Sequence, residues 1–173
     1  ATVQFDIAVI GGGPAGSSAA ITAARAGLRV LLVEKGPYGR DKVCGDGLTP
    51  RAIAALDELK IDYSVAHRID GLRMIAGKTQ RELAWPTTSR FPNHGAVWPR
   101  QKFDNHLLDV AIASGAEVRF ESEALPVLEG DRVVGVQVGS EVIKSSLVVL
   151  ATGAQGAAAK MLGAVRDPDE TFG

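Results

Sequence analysis

Gly11, Gly13 and Gly16 fall in a G-x-G-x-x-G spacing, and a carboxylate, Glu34, follows at the end of the next apolar run. Glycines at this spacing act through what they lack. Gly11 permits a tight turn, Gly13 offers no side chain to obstruct a pyrophosphate approaching the backbone, and Gly16 lets a helix pack closely on the preceding strand. Unpaired amides at that helix start, together with the positive end of its dipole, suit a phosphate group. Pro14 is tolerated at such a position, and Ala15 lies inside the same turn. Glu34 can accept both hydroxyls of a ribose. An acidic residue about 20 positions beyond the glycines favours an adenosine ribose without a 2′-phosphate, which points to FAD or NAD and away from NADP.

These groups need elements to hold them, and the flanking pattern supplies them. Phe5 to Ile10 reads as a buried parallel strand, Ser17 to Ala26 as a small-residue helix stopped by Gly27, and Leu28 to Val33 as a second strand. From Lys35 to Gly47 a long, glycine-rich, charged loop leaves the ribose end and is aimed along the nucleotide. Thr49 and Pro50 then open a helix as N-cap and first helical residue, with Ile53, Leu56 and Leu59 facing a core.

Residues 72–75 and 81–85 read as an antiparallel hairpin turning at Gly77-Lys78. A loop over 86–99 carries Phe91 and is flanked by Trp85 and Trp98, aromatics that either pack beneath it or line an apolar pocket. Arg100 precedes a helix over 101–114, and a strand follows over 117–120. A small meander spans 124–128, 133–138 and 141–143. The run 146–150 is expected to be a separate buried strand whose carboxyl end, through Gly153, meets the cofactor. The fold class is α/β: a Rossmann-like domain over residues 1–173, its parallel sheet joined by the meander. Residues 66–99 are an inserted hairpin and loop that begin a substrate region.

Composition narrows the function classes. With 173 residues, 46% of them hydrophobic, the chain is long enough for one domain with a sizeable core. A formal charge of −1 and no basic stripe give no reason to expect nucleic acid as a partner. The single cysteine, Cys44, excludes an internal disulfide and a multi-cysteine metal site. His67, His94 and His106 are scattered and read as surface or loop residues, so no metal is expected. No apolar run approaches the roughly 20 residues that cross a bilayer, and no signal peptide is recognised. The expected location is the cytoplasm, with peripheral membrane association following only from a lipidic substrate.

The glycine turn, Glu34, the Arg100 helix and Ala151-Thr152-Gly153 together resemble the FAD-dependent glutathione-reductase-like superfamily. The loop Arg40-Asp41-Lys42-Val43-Cys44-Gly45-Asp46-Gly47-Leu48-Thr49-Pro50-Arg51 is similar to that of its geranylgeranyl (polyprenyl) reductases, including actinobacterial menaquinone reductases. The resemblance implies FAD as cofactor. It implies that the backbone from Gly13 to Gly16 holds the pyrophosphate, that Glu34, followed by Lys35, holds the ribose, and that Arg40 and Arg100 hold the flavin's phosphate or ribityl chain. Ala124 would meet adenine through its backbone, and Cys44 and Gly45 would lie near the flavin ring. Cys44 either assists reduction or simply packs; its thiolate is usable only if neighbours such as Arg40 or Lys42 lower its pKa.

The activity implied is reduction of an isoprenoid double bond on a geranylgeranyl group or a quinone tail, with electrons from NAD(P)H or a redox protein. Two alternatives are a flavin monooxygenase of the aromatic-hydroxylase or halogenase kind and a noncatalytic nucleotide-binding module. The second substrate sheet, the Gly-Asp motif and the pocket aromatics of the family are missing from this sequence. A fragment inactive by itself is therefore expected.

Overall fold

A computed structural model describes residues 4–41, 44–153 and 157–163. In chain order the elements are β1 (Phe5–Ile10), α1 (Pro14–Arg25), β2 (Val30–Val33), β3 (Gly47–Leu48), α2 (Pro50–Glu58), β4 (His67–Ile69), β5 (Gly71–Ala76) and β6 (Thr79–Ala84). They continue with β7 (Gly95–Val97), α3 (Arg100–Ala113), β8 (Glu117–Arg119), β9 (Ala124–Glu129), β10 (Arg132–Val138), β11 (Glu141–Leu150) and α4 (Ala157–Met161). Two compact units result, one from residues 1–38 and 107–173, the other from 39–106, with the boundary inside α3. The hairpin and loop expected over 66–99 lie within the second unit.

The first unit is built on a six-stranded sheet ordered β8-β2-β1-β11-β10-β9. β1 pairs in parallel with β2 and β11, and β2 in parallel with β8, which makes the Rossmann-like half. Alternation along these strands divides the apolar side chains between two faces. Ala8, Ile10, Leu31 and Val33 join Ala124, Val136 and Ile143 in one buried cluster. Val9, Val30 and Leu32 point the other way, where α1 packs on β1 and β2. α1 ends as expected: Gly27 takes φ +82°, and Leu28 N–H donates to Ala23 O, the bond of a Schellman cap.

Two expectations for this unit are corrected. The third meander strand and the run 146–150 are one continuous strand, β11. Residues 141–144 pair antiparallel with β10, and 145–150 pair in parallel with β1. Each half reads as its own strand because the side-chain pattern changes where the partner changes. The run is also less buried than its composition implies, for Leu147 is 54% exposed while Ile143, further up the strand, is fully covered.

The second unit holds a three-stranded sheet, β3-β7-β4, and the hairpin β5-β6, which turns at Gly77 and Lys78 as expected. Within the stretch expected to be loop, Gly95–Val97 is the central strand β7, pairing with β3 and β4. Trp98 is buried and packs on Phe103 and His106, with ring centroids 5.3 and 5.1 Å away. It therefore serves packing, and His106 is a half-buried helix residue, not a loop group, whose ring lies tilted against that of Trp98. Thr49 caps α2 through Ala52 N–H, as its position ahead of Pro50 implies. Among the described residues, no helix is long and apolar enough to cross a membrane.

Candidate functional site

The glycine turn joins β1 to α1, and each of its glycines has a distinct steric reason. Gly11 has φ +107°, and a Cβ there would lie 2.4 Å from Ala151 O. A Cβ on Gly16 would lie 1.8 Å from Gly11 O, so helix and turn touch backbone to backbone. Gly13 differs, since a Cβ there would meet nothing within 4 Å. Among the described residues the space above Gly13 is open, as a cradle for a ligand group requires.

The donors follow the same division. Gly11 N–H is taken by Val33 O at 2.8 Å, and Gly12 N–H by Glu34 Oε2 at 2.7 Å. Pro14, at the first helical position, has no N–H, and Gly13 provides no side-chain cap to α1. The next helical amides, Ala15 and Gly16, belong to the first turn, where no intrahelical carbonyl is available. Ala15 is exposed. These amides and the helix dipole suit a pyrophosphate, and the open space at Gly13 fits one.

Glu34 ends β2 beside this turn, only 4% exposed. Its Oε1 accepts from Gly36 N–H at 2.9 Å. Its backbone is held as well, N–H donating to Arg119 O and O accepting from Ser122 N–H. Lys35, the next residue, is exposed. Ala124 opens β9 opposite Val138, its side chain in the core cluster. Gly153 lies past the carboxyl end of β11, exposed, with φ +75°. It follows Ala151, the residue against which Gly11 packs. A further feature near Glu34 is Tyr38, whose ring meets Phe120 edge-on at 5.6 Å and whose hydroxyl donates to the Asp109 carboxylate at 3.0 Å. Desolvation first, and then Asp109, raises the Tyr38 pKa above that of an ordinary phenol.

In the second unit, Arg40 is half-buried, and Cys44 and Gly45 are exposed. A Cβ on Gly45 would meet nothing within 4 Å. Lys42 and Val43, part of the same motif, lie outside the described residues. The loop is pinned by Asp46, whose Oδ1 accepts Arg100 N–H at 2.8 Å and whose O accepts Trp98 N–H at 2.9 Å. Arg100 is the first residue of α3. Its guanidinium pairs with Asp104 one turn on, Nη2 to Oδ1 at 3.0 Å, with side chains only 10% and 5% exposed.

Sequence reading missed Gly12, Gly36, Asp46 and Asp104. Asp104 carried a signal, because an acid four residues after an arginine shares its helix face. Asp46 and Gly36 carried none, since their partners depend on where two loops come to rest.

The chain matches the family model described as FAD dependent oxidoreductase over residues 6–165. It is 40% identical over 164 residues to a menaquinone reductase of Mycobacterium tuberculosis, covering 91% of this chain and 40% of that protein. It is 37% identical over 158 residues to a digeranylgeranylglycerophospholipid reductase of Picrophilus torridus, covering 87% of this chain and 40% of the relative. The chain thus spans about 40% of the length of these curated relatives. Among solved structures, a geranylgeranyl bacteriochlorophyll reductase-like protein from Thermoplasma acidophilum superposes with a TM-score of 0.70 at 31% identity, covering 85% of this chain and 38% of that one. The flavin-dependent halogenase CmlS superposes with a TM-score of 0.77 at 29% identity, covering 94% and 32%.

Proposed function

Because the chain belongs to the FAD dependent oxidoreductase family, we propose that its full protein reduces a carbon–carbon double bond of an isoprenoid chain, on a menaquinone tail or a geranylgeranyl lipid. The observation that carries this reading is the 40% identity to a menaquinone reductase over 91% of the chain. When bound and reduced, FAD supplies the hydride for one alkene carbon, while a proton goes to the other.

The chain's own residues bind and orient that group. Gly11 and Gly16 shape the turn, and the N–H groups of Gly13, Ala15 and Gly16, with Pro14 between them, would hold the pyrophosphate. Glu34 accepts from the ribose, with Lys35 beside it. Ala124 offers backbone to adenine, and Gly153 lets the chain pass close to the cofactor. In the second unit, Arg40 and Arg100 serve the phosphate or ribityl chain, with Asp104 keeping the Arg100 guanidinium aligned. Cys44 and Gly45 are assigned to the flavin ring. Cys44 is the candidate catalytic residue, and its exposed thiol is consistent with that role. NAD(P)H or a redox protein is the proposed electron source, and the cytoplasm, peripherally to the membrane, the proposed location.

The test is anaerobic. Full-length protein reduced without oxygen and mixed with menaquinone or a geranylgeranyl lipid should yield a product carrying two more hydrogens per double bond. Every such substrate returning unchanged would overturn the assignment. A flavin monooxygenase is the second reading, favoured by the halogenase superposition. Substrate-dependent oxygen uptake with a hydroxylated or halogenated product would establish it instead. Bound flavin refusing electrons from every donor would leave a noncatalytic nucleotide module.

A further inference from the structure

Glu34 occupies an odd place for a residue whose role is to meet a ligand. The residue is 4% exposed, and each carboxylate oxygen already accepts a backbone amide: Oε2 from Gly12 at 2.7 Å and Oε1 from Gly36 at 2.9 Å. Bonds from amides to a carboxylate are charge-assisted and roughly twice as strong as those between neutral groups. The backbone of Glu34 is itself fixed, through Arg119 O and Ser122 N–H, to the strand end beside it. The carboxylate is thus the anchored partner, and the glycine turn hangs from it.

Gly12 is shaped to receive it. A Cβ at Gly12 would lie 3.1 Å from both Cβ and Oε2 of Glu34, and 3.2 Å from Leu108 Cδ2. A side chain at position 12 would require Glu34 or Leu108 to give by a few tenths of an ångström. Gly12 occupies a variable position of the G-x-G-x-x-G spacing, so the fingerprint gives no reason for a glycine there. The carboxylate gives one.

We propose that Glu34 is a positioning residue, which sets the conformation of the glycine turn before any nucleotide arrives. By holding Gly12 N–H and Gly36 N–H, it ties the glycine turn to the segment that follows β2. It also keeps the amides of Gly13, Ala15 and Gly16 aimed at the open space above Gly13. Preorganisation of this kind removes an ordering cost from binding. A carboxylate can accept more than two hydrogen bonds, so a ribose contact is compatible with this role. The inference adds to the nucleotide reading of this turn and is independent of which alkene is reduced.

The test is amide hydrogen exchange by NMR on the full chain freed of nucleotide. Gly12 and Gly36 amides should be protected at least about tenfold over an unstructured amide, with no ligand present. In Glu34→Gln, whose amide group cannot accept at both positions, exchange at both glycines should rise by about ten- to a hundredfold. Unprotected exchange at Gly12 and Gly36 in the unaltered chain would overturn the proposal, whether or not the variant folds. So would unchanged exchange in a folded Glu34→Gln protein whose only defect is weaker FAD binding, since that defines a plain ligand acceptor. These readouts precede any turnover, so a failed reductase assignment would leave them intact.

Discussion

The molecule contains two glycine-rich segments that resemble one another in composition and differ in physical meaning. In the turn at residues 11–16, Gly11 and Gly16 are filled in by the protein's own backbone, with clearances of 2.4 and 1.8 Å for a hypothetical Cβ. In the loop at residues 44–47, Gly45 and Gly47 face open space, with nothing within 4 Å. Glycines of the first kind are required by the fold. Glycines of the second kind meet no steric demand from the described residues. Gly13 is instructive because it belongs to the first segment by sequence and to the second by environment.

Substitution can sharpen or break this contrast. Gly16→Ala should cost most, about 3 kcal/mol or more, because the obstacle is backbone that cannot rotate away. Chemical denaturation measures it, and a loss below 1 kcal/mol would show that the turn relaxes freely. Asp104→Ala should cost about 3 kcal/mol by stranding the buried Arg100 guanidinium. A near-zero value would mean that Arg100 swings out to water.

Gly13→Ala should behave oppositely to Gly16→Ala. Its backbone, at φ −76° and ψ −177°, is open to any residue, so stability should move by less than about 1 kcal/mol. FAD affinity should nevertheless fall by about tenfold or more, as titration followed by flavin fluorescence would report. Gly45→Ala is expected to leave stability within about 0.5 kcal/mol. A large loss there would erase the distinction between the two segments.

The smallest effect concerns pH. The Asp6 carboxylate accepts from the guanidinium and from the backbone N–H of Arg29, which holds its carboxyl below the ordinary range. A depressed folded-state pKa stabilises above the unfolded value and loses that contribution as pH falls through the folded value. Thermal melts of Asp6→Asn should therefore show a small deficit at neutral pH that closes once the medium is more acidic than the ordinary carboxylate range. A deficit unchanged down to that acidity would assign the effect to packing.

The amino-acid sequence by itself determined the elements whose signals are local. The strand, glycine turn, small-residue helix, Gly27 stop and second strand ending in Glu34 are all spelled out in consecutive residues. So are the Thr49-Pro50 helix start and the hairpin around Gly77. Each depends on period, cap or turn chemistry spanning a few positions. The steric roles of Gly11 and Gly16 were legible for the same reason.

What tertiary structure decided is where distant backbones meet. β3 and β7, of two and three residues, carry no readable period and exist because each supplies hydrogen bonds the other lacks. β11 is a single strand because β1 and β10 take opposite ends of it. The position of Glu34 at the end of β2 carries the expectation of a ribose acceptor. That its two oxygens are already given to Gly12 and Gly36 follows only once β2, the turn and the following loop are packed together. A buried carboxylate must find donors, and folding alone decides which amides lie within its reach.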